Sequence, residues 1–259
     1  MSSITIQGIP YDQSSSFLSG CREGPAAIRN AFHSAAGNYF TESLVDLQNR
    51  DSIKDVGDVN LDVDPIEKIE QHTRSLLDGD TKLLTLGGDH FITFPILKAF
   101  ESKYGKVNLL QFDAHPDLYD ELDGNRNSHA CPFARSHEAG LISRHVQVGI
   151  RTMTGHQHVQ AERFGVEVMP ITQMPTVIEF DGPLYITLDL DVLDPAFAPG
   201  ISHHEPGGLS VRDVLNWLCQ LKADIVGADI VELNPRQDFN GMTATVAAKF
   251  YKELLGLMV

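Results

Sequence analysis

Three short segments concentrate the residue types that can hold a cation. They are Leu86-Gly-Gly-Asp-His90, Phe112-Asp-Ala-His-Pro-Asp117 and Leu188-Asp-Leu-Asp-Val-Leu-Asp-Pro195. Asp113, His115 and Asp117 stand at i, i+2 and i+4, which puts their side chains on one side if the chain stays extended. Asp189 and Asp191 repeat the i, i+2 spacing, and His90 adds an imidazole. Brought together, the four carboxylates would repel one another and raise their own pKa values, at a cost of several kcal/mol. No Arg or Lys lies in these segments, so a divalent metal is the economical compensating charge. Two histidines and four aspartates are too many for one tetrahedral zinc, and none is a thiolate. Two ions sharing bridging carboxylates fit the donor count. The oxygen-rich set suits Mn²⁺, with zinc, cobalt or iron as alternatives. Two such ions, about 3.5–4 Å apart, can share one water and turn it into a nucleophile near neutral pH.

Neighbouring acids have plainer readings. Asp194, followed by Pro195, reads as a turn former, and Asp89 as a residue that orients its loop or a ligand histidine. Cys131 lies close to His129 without a base or oxyanion arrangement, so a nucleophilic role is not expected. His137, His145, His156 and His158 have no motif around them and read as ordinary histidines.

The elements that must position these residues alternate along the chain. Apolar strand-like runs are read at Ile4–Ile9, Lys54–Gly57, Lys82–Leu86, Val107–Phe112, Val146–Gly149, Glu167–Met169, Pro183–Leu188 and Ile225–Val231. Helical spacing is read at Gly24–Phe32, Pro65–Leu77, Ile92–Tyr104, Pro132–Gly140, Gly155–Phe164, from Val211 to Leu221 and from Met242 to Leu254. Ser210 and Asp213 are spaced as a capping box. Strands apolar throughout, alternating with helices, predict a parallel sheet covered on both faces. In such sheets ligands bind beyond the carboxyl ends of the strands, where the three segments fall.

The chain has 259 residues and a formal net charge of −15, consistent with one domain over 1–259. The charge argues against a nucleic-acid partner and is compatible with a small cationic one. No run approaches the length of a membrane span, and the amino terminus shows no basic region followed by an apolar stretch. Three well-separated cysteines suggest reduced thiols and a cytoplasmic location.

On these motifs the chain resembles the ureohydrolases, the arginases and agmatinases. The likeness runs from Gly8-Ile-Pro-Tyr-Asp12 and Gly24-Pro-Ala-Ala-Ile-Arg29 through the three acidic segments. It continues through Ser128-His-Ala130, Asp194-Pro-Ala-Phe-Ala-Pro-Gly200 and Glu205-Pro-Gly-Gly-Leu209 to Val231-Glu-Leu-Asn-Pro235. Asp113-Ala-His-Pro-Asp-Leu-Tyr-Asp120 and Gly124-Asn-Arg-Asn-Ser-His-Ala130 look most like plant-type arginases and bacterial agmatinase-like proteins. The resemblance implies a three-layer α/β/α domain around a parallel eight-stranded sheet. It implies two Mn²⁺ per chain, one held by His90, Asp113, Asp117 and Asp189 and the other by Asp113, His115, Asp189 and Asp191. A shared hydroxide would attack the guanidinium carbon of a linear guanidino compound, L-arginine or agmatine, releasing urea and ornithine or putrescine. His129 matches a histidine that moves a proton to the leaving amine, and Glu232 a carboxylate that pairs with the guanidinium. A homo-oligomer, trimer or hexamer, is also implied.

Asn125 and Ser128 are candidates to read an α-carboxylate, and His203, beside His204 at the cleft rim, a candidate for substrate contact. Phe91, Pro116 and Ala130 depart from the commonest pattern without removing a ligand, and bear on pocket shape. Guanidinobutyrate or a formimino compound is an alternative substrate. A non-catalytic metal-binding protein is the alternative from another class, against which the presence of His129 and Glu232 argues.

Overall fold

A computed structural model describes residues 3–48, 50–173 and 179–259; Met1 and Ser2, part of the segment read for a leader, lie outside the described residues. The strands are β1 (Ile4–Gly8), β2 (Ile53–Asp58), β3 (Lys82–Leu86), β4 (Val107–Phe112), β5 (Ile142–Ile150), β6 (Glu167–Pro170), β7 (Glu179–Asp189) and β8 (Lys222–Val231). The α-helices are α1 (Gly24–Phe32), α2 (Pro65–Leu76), α3 (Thr93–Tyr104), α4 (Pro132–Glu138), α5 (Gly155–Phe164), α6 (Val211–Gln220) and α7 (Met242–Met258). The strands form one eight-stranded sheet in the order β2-β1-β3-β8-β7-β4-β5-β6. Every pairing is parallel.

Alternate residues of each central strand feed two separate cores. Leu84 and Leu86, Leu110 and Phe112, and Ile186 and Leu188 pack with Ile28, Trp217, Phe250 and Leu254 on one face. Leu83, Leu109 and Tyr185 pack with Ile69, Ile96, Phe100 and Phe133 on the other. A sheet buried on both faces needs apolar residues at successive positions, and that explains the unbroken apolar runs. The expected three-layer α/β/α architecture is observed.

Several strands begin earlier than their apolar runs. β5 starts at Ile142 rather than Val146, β7 at Glu179 rather than Pro183, and β8 at Lys222 rather than Ile225. β7 and β8 open on exposed residues and β5 on buried Ile142 followed by exposed Ser143, yet Ile142, Glu179 and Lys222 pair in the ladder, so the apolar runs alone miss them. The capping box of α6 is present: Ser210 Oγ accepts from Asp213 N at 3.1 Å, and Asp213 Oδ2 accepts from Ser210 N at 2.9 Å. A second, unforeseen one joins Thr154 and Gln157 at α5.

The sheet order places the chemistry. The chain leaves β3 through α3 and re-enters the sheet at β4, with β8 and β7 filling the space between. The carboxyl ends of β3, β8, β7 and β4 therefore form one continuous edge. Gly88 follows β3 at a point where a Cβ would stand 1.8 Å from the Tyr11 carbonyl oxygen, so only glycine fits.

Candidate metal centre

All six expected ligands converge on this edge. His90 Nδ1 lies 3.3 Å from Asp113 Oδ2, 3.1 Å from Asp117 Oδ2 and 3.1 Å from Asp189 Oδ2. His115 Nδ1 lies 2.7 Å from Asp191 Oδ2 and 3.7 Å from Asp113 Oδ1. Two groups able to hold an ion emerge, His90 with Asp113 and Asp189, and Asp113 with His115 and Asp191. Asp113 belongs to both.

The local backbone differs from the extended one assumed from the spacing. The chain bends at Ala114 and His115, and Asp117 takes a left-handed φ of 51°. Asp189 caps a 3₁₀ turn, Leu190–Val192, its Oδ1 accepting from Asp191 N at 2.8 Å. Tight turns, rather than strand pleat, bring these side chains together. Asp117 reaches His90 because of its left-handed backbone, a strained state for a non-glycine residue that recurs at functional sites.

A buried hydrogen-bond chain fixes the chemistry of His90. Thr187 Oγ1 donates to Asp229 Oδ1 at 2.6 Å, so it accepts from His90 Nε2 at 2.8 Å. Thr93 and Tyr185 also donate their hydroxyls to Asp229, at 2.8 and 2.9 Å. In a neutral ring the other nitrogen, Nδ1, is then a bare lone pair. Among the described residues it has no hydrogen-bond partner, and it faces three carboxylate oxygens. A proton there could serve one of them; a divalent cation serves all. The donor set thus fits a metal, in the arrangement where a ligand histidine is held from behind by a hydrogen-bonded partner.

The titration behaviour has the same cause. Burial, then Asp191 and Asp117, pushes Asp113 up to about 8. Burial, then Asp191 and Asp113, raises Asp189 well above the usual carboxylate range. Burial opposes charge on His115, but Asp191 and Asp113 raise it to about 11. Burial likewise opposes charge on His90, and its three carboxylate neighbours raise it far above the ordinary value. Asp113 and Asp189 resist ionising and both imidazoles hold a proton, as expected where positive charge is wanted, whereas burial is outweighed at Asp191 by His115, which holds that carboxyl well below the usual carboxylate range.

Across the cleft, Glu232 follows the end of β8 with a left-handed φ of 65°. Its Oε1 accepts from His90 N at 2.9 Å and meets His129 Nδ1 at 3.1 Å, while its Oε2 accepts from the Cys21 thiol at 3.4 Å. Burial would raise Glu232, but His129 lowers it to about 2. Burial would lower His129, but Glu232 raises it to about 9. His129 Nε2 meets Ser16 Oγ at 2.9 Å, and its ring centroid is 4.8 Å from that of His203.

A cavity of about 240 Å³ joins His129 and Glu232 to Asp117, Asp189, Asp191 and His115. His203 lines it, as do Ser16, Tyr119, Thr152, Thr154 and Gln157, which the sequence reading missed. Asn125 and Ser128 are not among its lining residues. Asn125 is exposed and accepts from Asn127 N within its own turn; Ser128 is buried and accepts from Ala130 N. Asp89 accepts from Ser14 N and Phe91 N, and Asp194 from Ala196, Gly207 and Gly208, so both serve loops. Arg151 was also missed. It donates to the carbonyl oxygens of Asp191, Val192, Leu193 and Glu205, bracing the turn that carries Asp189 and Asp191.

Fold and site together define an α/β protein with an acid-rich candidate metal centre at its sheet's carboxyl edge. The sequence model of the Arginase family matches residues 2–256. "Arginase 1, mitochondrial" of Arabidopsis thaliana is 43% identical, over 97% of this chain and 80% of its own length. An agmatinase of Neisseria meningitidis is 39% identical, over 97% of this chain and 86% of its own. The solved arginase of Medicago truncatula superposes with a TM-score of 0.94 at 40% identity, covering 99% of this chain and 87% of that one. The chain belongs to the arginase family, and is a hydrolase of the arginase and agmatinase type. No helix among the described residues is long and apolar enough to cross a membrane.

Proposed function

We propose that the protein hydrolyses a linear guanidino compound, L-arginine or agmatine, to urea and the corresponding amine, using two Mn²⁺ ions. The observation that carries this reading is the pair of ligand groups sharing Asp113, which face His129 and Glu232 across one cavity. His90, Asp113, Asp117 and Asp189 would hold one ion, and Asp113, His115, Asp189 and Asp191 the other. Bound there, two such ions supply a water acidic enough to act as a nucleophile near neutral pH.

The protein's own groups do the rest. Glu232 stays ionised and offers a planar carboxylate to a planar cation with several N–H donors, a pairing that fixes orientation as well as charge. His129 carries a proton at neutral pH because Glu232 stabilises it, and a basic amine needs a proton as it departs. Ser16 holds the far nitrogen of His129 and so limits rotation of the ring. The partner is thus a small cationic guanidino compound; the family resemblance implies a homo-oligomer, trimeric or hexameric, and the three separated cysteines suggest a cytoplasmic location.

The test is urea release after preincubation with Mn²⁺, with L-arginine, agmatine and 4-guanidinobutyrate at equal concentration. Turnover of L-arginine or agmatine supports the reading and names the substrate. Silence on all three, with two ions bound per chain, overturns it.

A further inference from the structure

Behind the metal edge runs a polar chain, buried at its centre, whose own side chains do not line the cavity. Gln111 on β4 and His145 and Gln147 on β5 share one face of the sheet, with Gln111 paired in register with Gln147. His137 on α4 closes the row. Gln111 Nε2 lies 2.7 Å from Asp113 Oδ2 and 3.1 Å from the His115 carbonyl oxygen. Both are acceptors, so the Gln111 NH₂ must point at them and its Oε1 must point away. That oxygen meets His145 Nε2 at 2.9 Å and Gln147 Nε2 at 2.7 Å. His145 must therefore carry its proton on Nε2, which leaves Nδ1 as an acceptor. His137 Nε2 lies 3.0 Å from that Nδ1 and must donate to it.

The chain has a single polarity. Every link donates toward Asp113; His145 must be neutral for its Nδ1 to accept, and both rings are neutral. Burial keeps them so: it lowers His137 to about 4, and burial together with His137 lowers His145 further. The rings are also held in place. Phe164 stacks on His137 at 4.8 Å and 8°, and Phe133 lies 5.2 Å from His145.

The oxygen at the end of this chain matters. Asp113 Oδ2 faces His90, whereas Asp113 Oδ1 accepts from His115 N at 2.6 Å and lies nearer His115 Nδ1. Each oxygen of the shared carboxylate thus addresses a different ligand group, and rotation of the carboxylate would weaken both. We propose that His137, His145 and Gln111 are positioning residues for Asp113: the two imidazoles fix the Gln111 amide, which locks the carboxylate shared by the two ions. The inference rests on the metal reading given above.

The test measures Mn²⁺ uptake by equilibrium dialysis on the full chain, with thermal unfolding of the metal-free form as control. Gln111→Met keeps the side-chain length and removes the amide. His145→Leu removes one donor to that amide while leaving Gln147, and His145→Gln restores an N–H. We expect Gln111→Met to bind Mn²⁺ about 10- to 100-fold more weakly, the scale seen when an outer partner of a ligand is lost. His145→Leu should lie between it and the parent, with His145→Gln closer to the parent. Nitrogen chemical shifts of the parent should show His145 protonated at Nε2. Should Gln111→Met fail to fold, His145→Leu and the shifts decide. Two ions bound by Gln111→Met and His145→Leu as tightly as by the parent, or His145 protonated at Nδ1, would overturn the inference alone. A parent that takes up no divalent ion would overturn the metal reading and this inference with it.

Discussion

Two acidic clusters lie near the carboxyl edge of the sheet, and the protein treats them in opposite ways. Asp55 and Asp58, on β2, are met by one guanidinium. Arg29 Nε and Nη2 reach the two oxygens of Asp55 at 2.8 and 3.0 Å, and Nη1 meets Asp58. Four and five strands along the edge, among the described residues, the carboxylates of Asp189 and Asp191 and of Asp113 and Asp117 have no Arg or Lys paired with them; their nearest positive groups are His90 and His115. The difference follows burial. Asp55 and Asp58 keep 30% and 38% of their side-chain surface exposed, so water shares the charge. The central aspartates are almost fully buried, and a guanidinium there would fill the space an ion and a substrate need. A permanent salt bridge is adequate where charge is only to be neutralised. A centre that must act on a ligand keeps its compensating charge exchangeable.

The comparison breaks most visibly at the centre. Asp189→Ala removes a carboxylate that faces His90 and caps the turn carrying Asp191. The expected outcome is loss of at least one bound ion and of urea release by about 10³-fold or more, since on the proposed reading the ions would supply the nucleophile. The fold should persist, because the change removes a buried carboxylate whose ionisation the metal-free site opposes. Ion content by atomic absorption, beside far-ultraviolet circular dichroism, checks it. Near-normal turnover would sink the two-ion scheme.

Glu232→Gln should act differently. The amide keeps the shape but loses the charge that meets a guanidinium, and a charged partner is worth about 1.5–3 kcal/mol. We expect KM to rise by roughly 10- to 100-fold, with both ions retained. His129 should lose its raised pKa, since Glu232 is the main group raising it. The acid-side advantage of the parent would then move toward the ordinary histidine range in the pH profile. Loss of an ion in Glu232→Gln would assign Glu232 to the metal rather than to the substrate.

Much of this site could be read in advance because strand ends, acids and histidines coincide in the sequence. His90, Asp113, His115, Asp117, Asp189 and Asp191 converge as expected. Strand pleat alone does not account for their convergence, since a bend and a 3₁₀ turn replace the extended chain. What escaped notice reaches the site through long-range folding. Ser16 belongs to the loop after β1, and no periodicity connects it to His129. Asp229 did leave a signal, an acid inside the apolar run of β8, as did Thr187, two residues before Asp189 on the same face. Asn125 and Ser128 show the reverse case: polar residues beside a site histidine can be used up by their own turn. His145 was read as ordinary because a lone histidine in a strand has no local pattern. Its meaning lies in Gln111 across the ladder.

The smallest effect belongs to the other cluster. Arg29→Met keeps an unbranched aliphatic side chain on α1 and removes three charge-assisted contacts. Asp55 and Asp58 would then be unpaired but partly exposed, so they can hydrate rather than remain stranded. The cost should sit near that of an exposed pair, about 1 kcal/mol, and not the roughly 3–5 kcal/mol of a broken buried one. It should shrink further in high salt, which screens repulsion between the two freed carboxylates. Urea release and ion content should stay at parental values, because Arg29 reaches none of the central ligands. Chemical denaturation at low and high salt, with ion content measured in parallel, separates the cases. Loss of an ion in Arg29→Met would mean that the two clusters are coupled through the sheet, and that their contrast is one of degree.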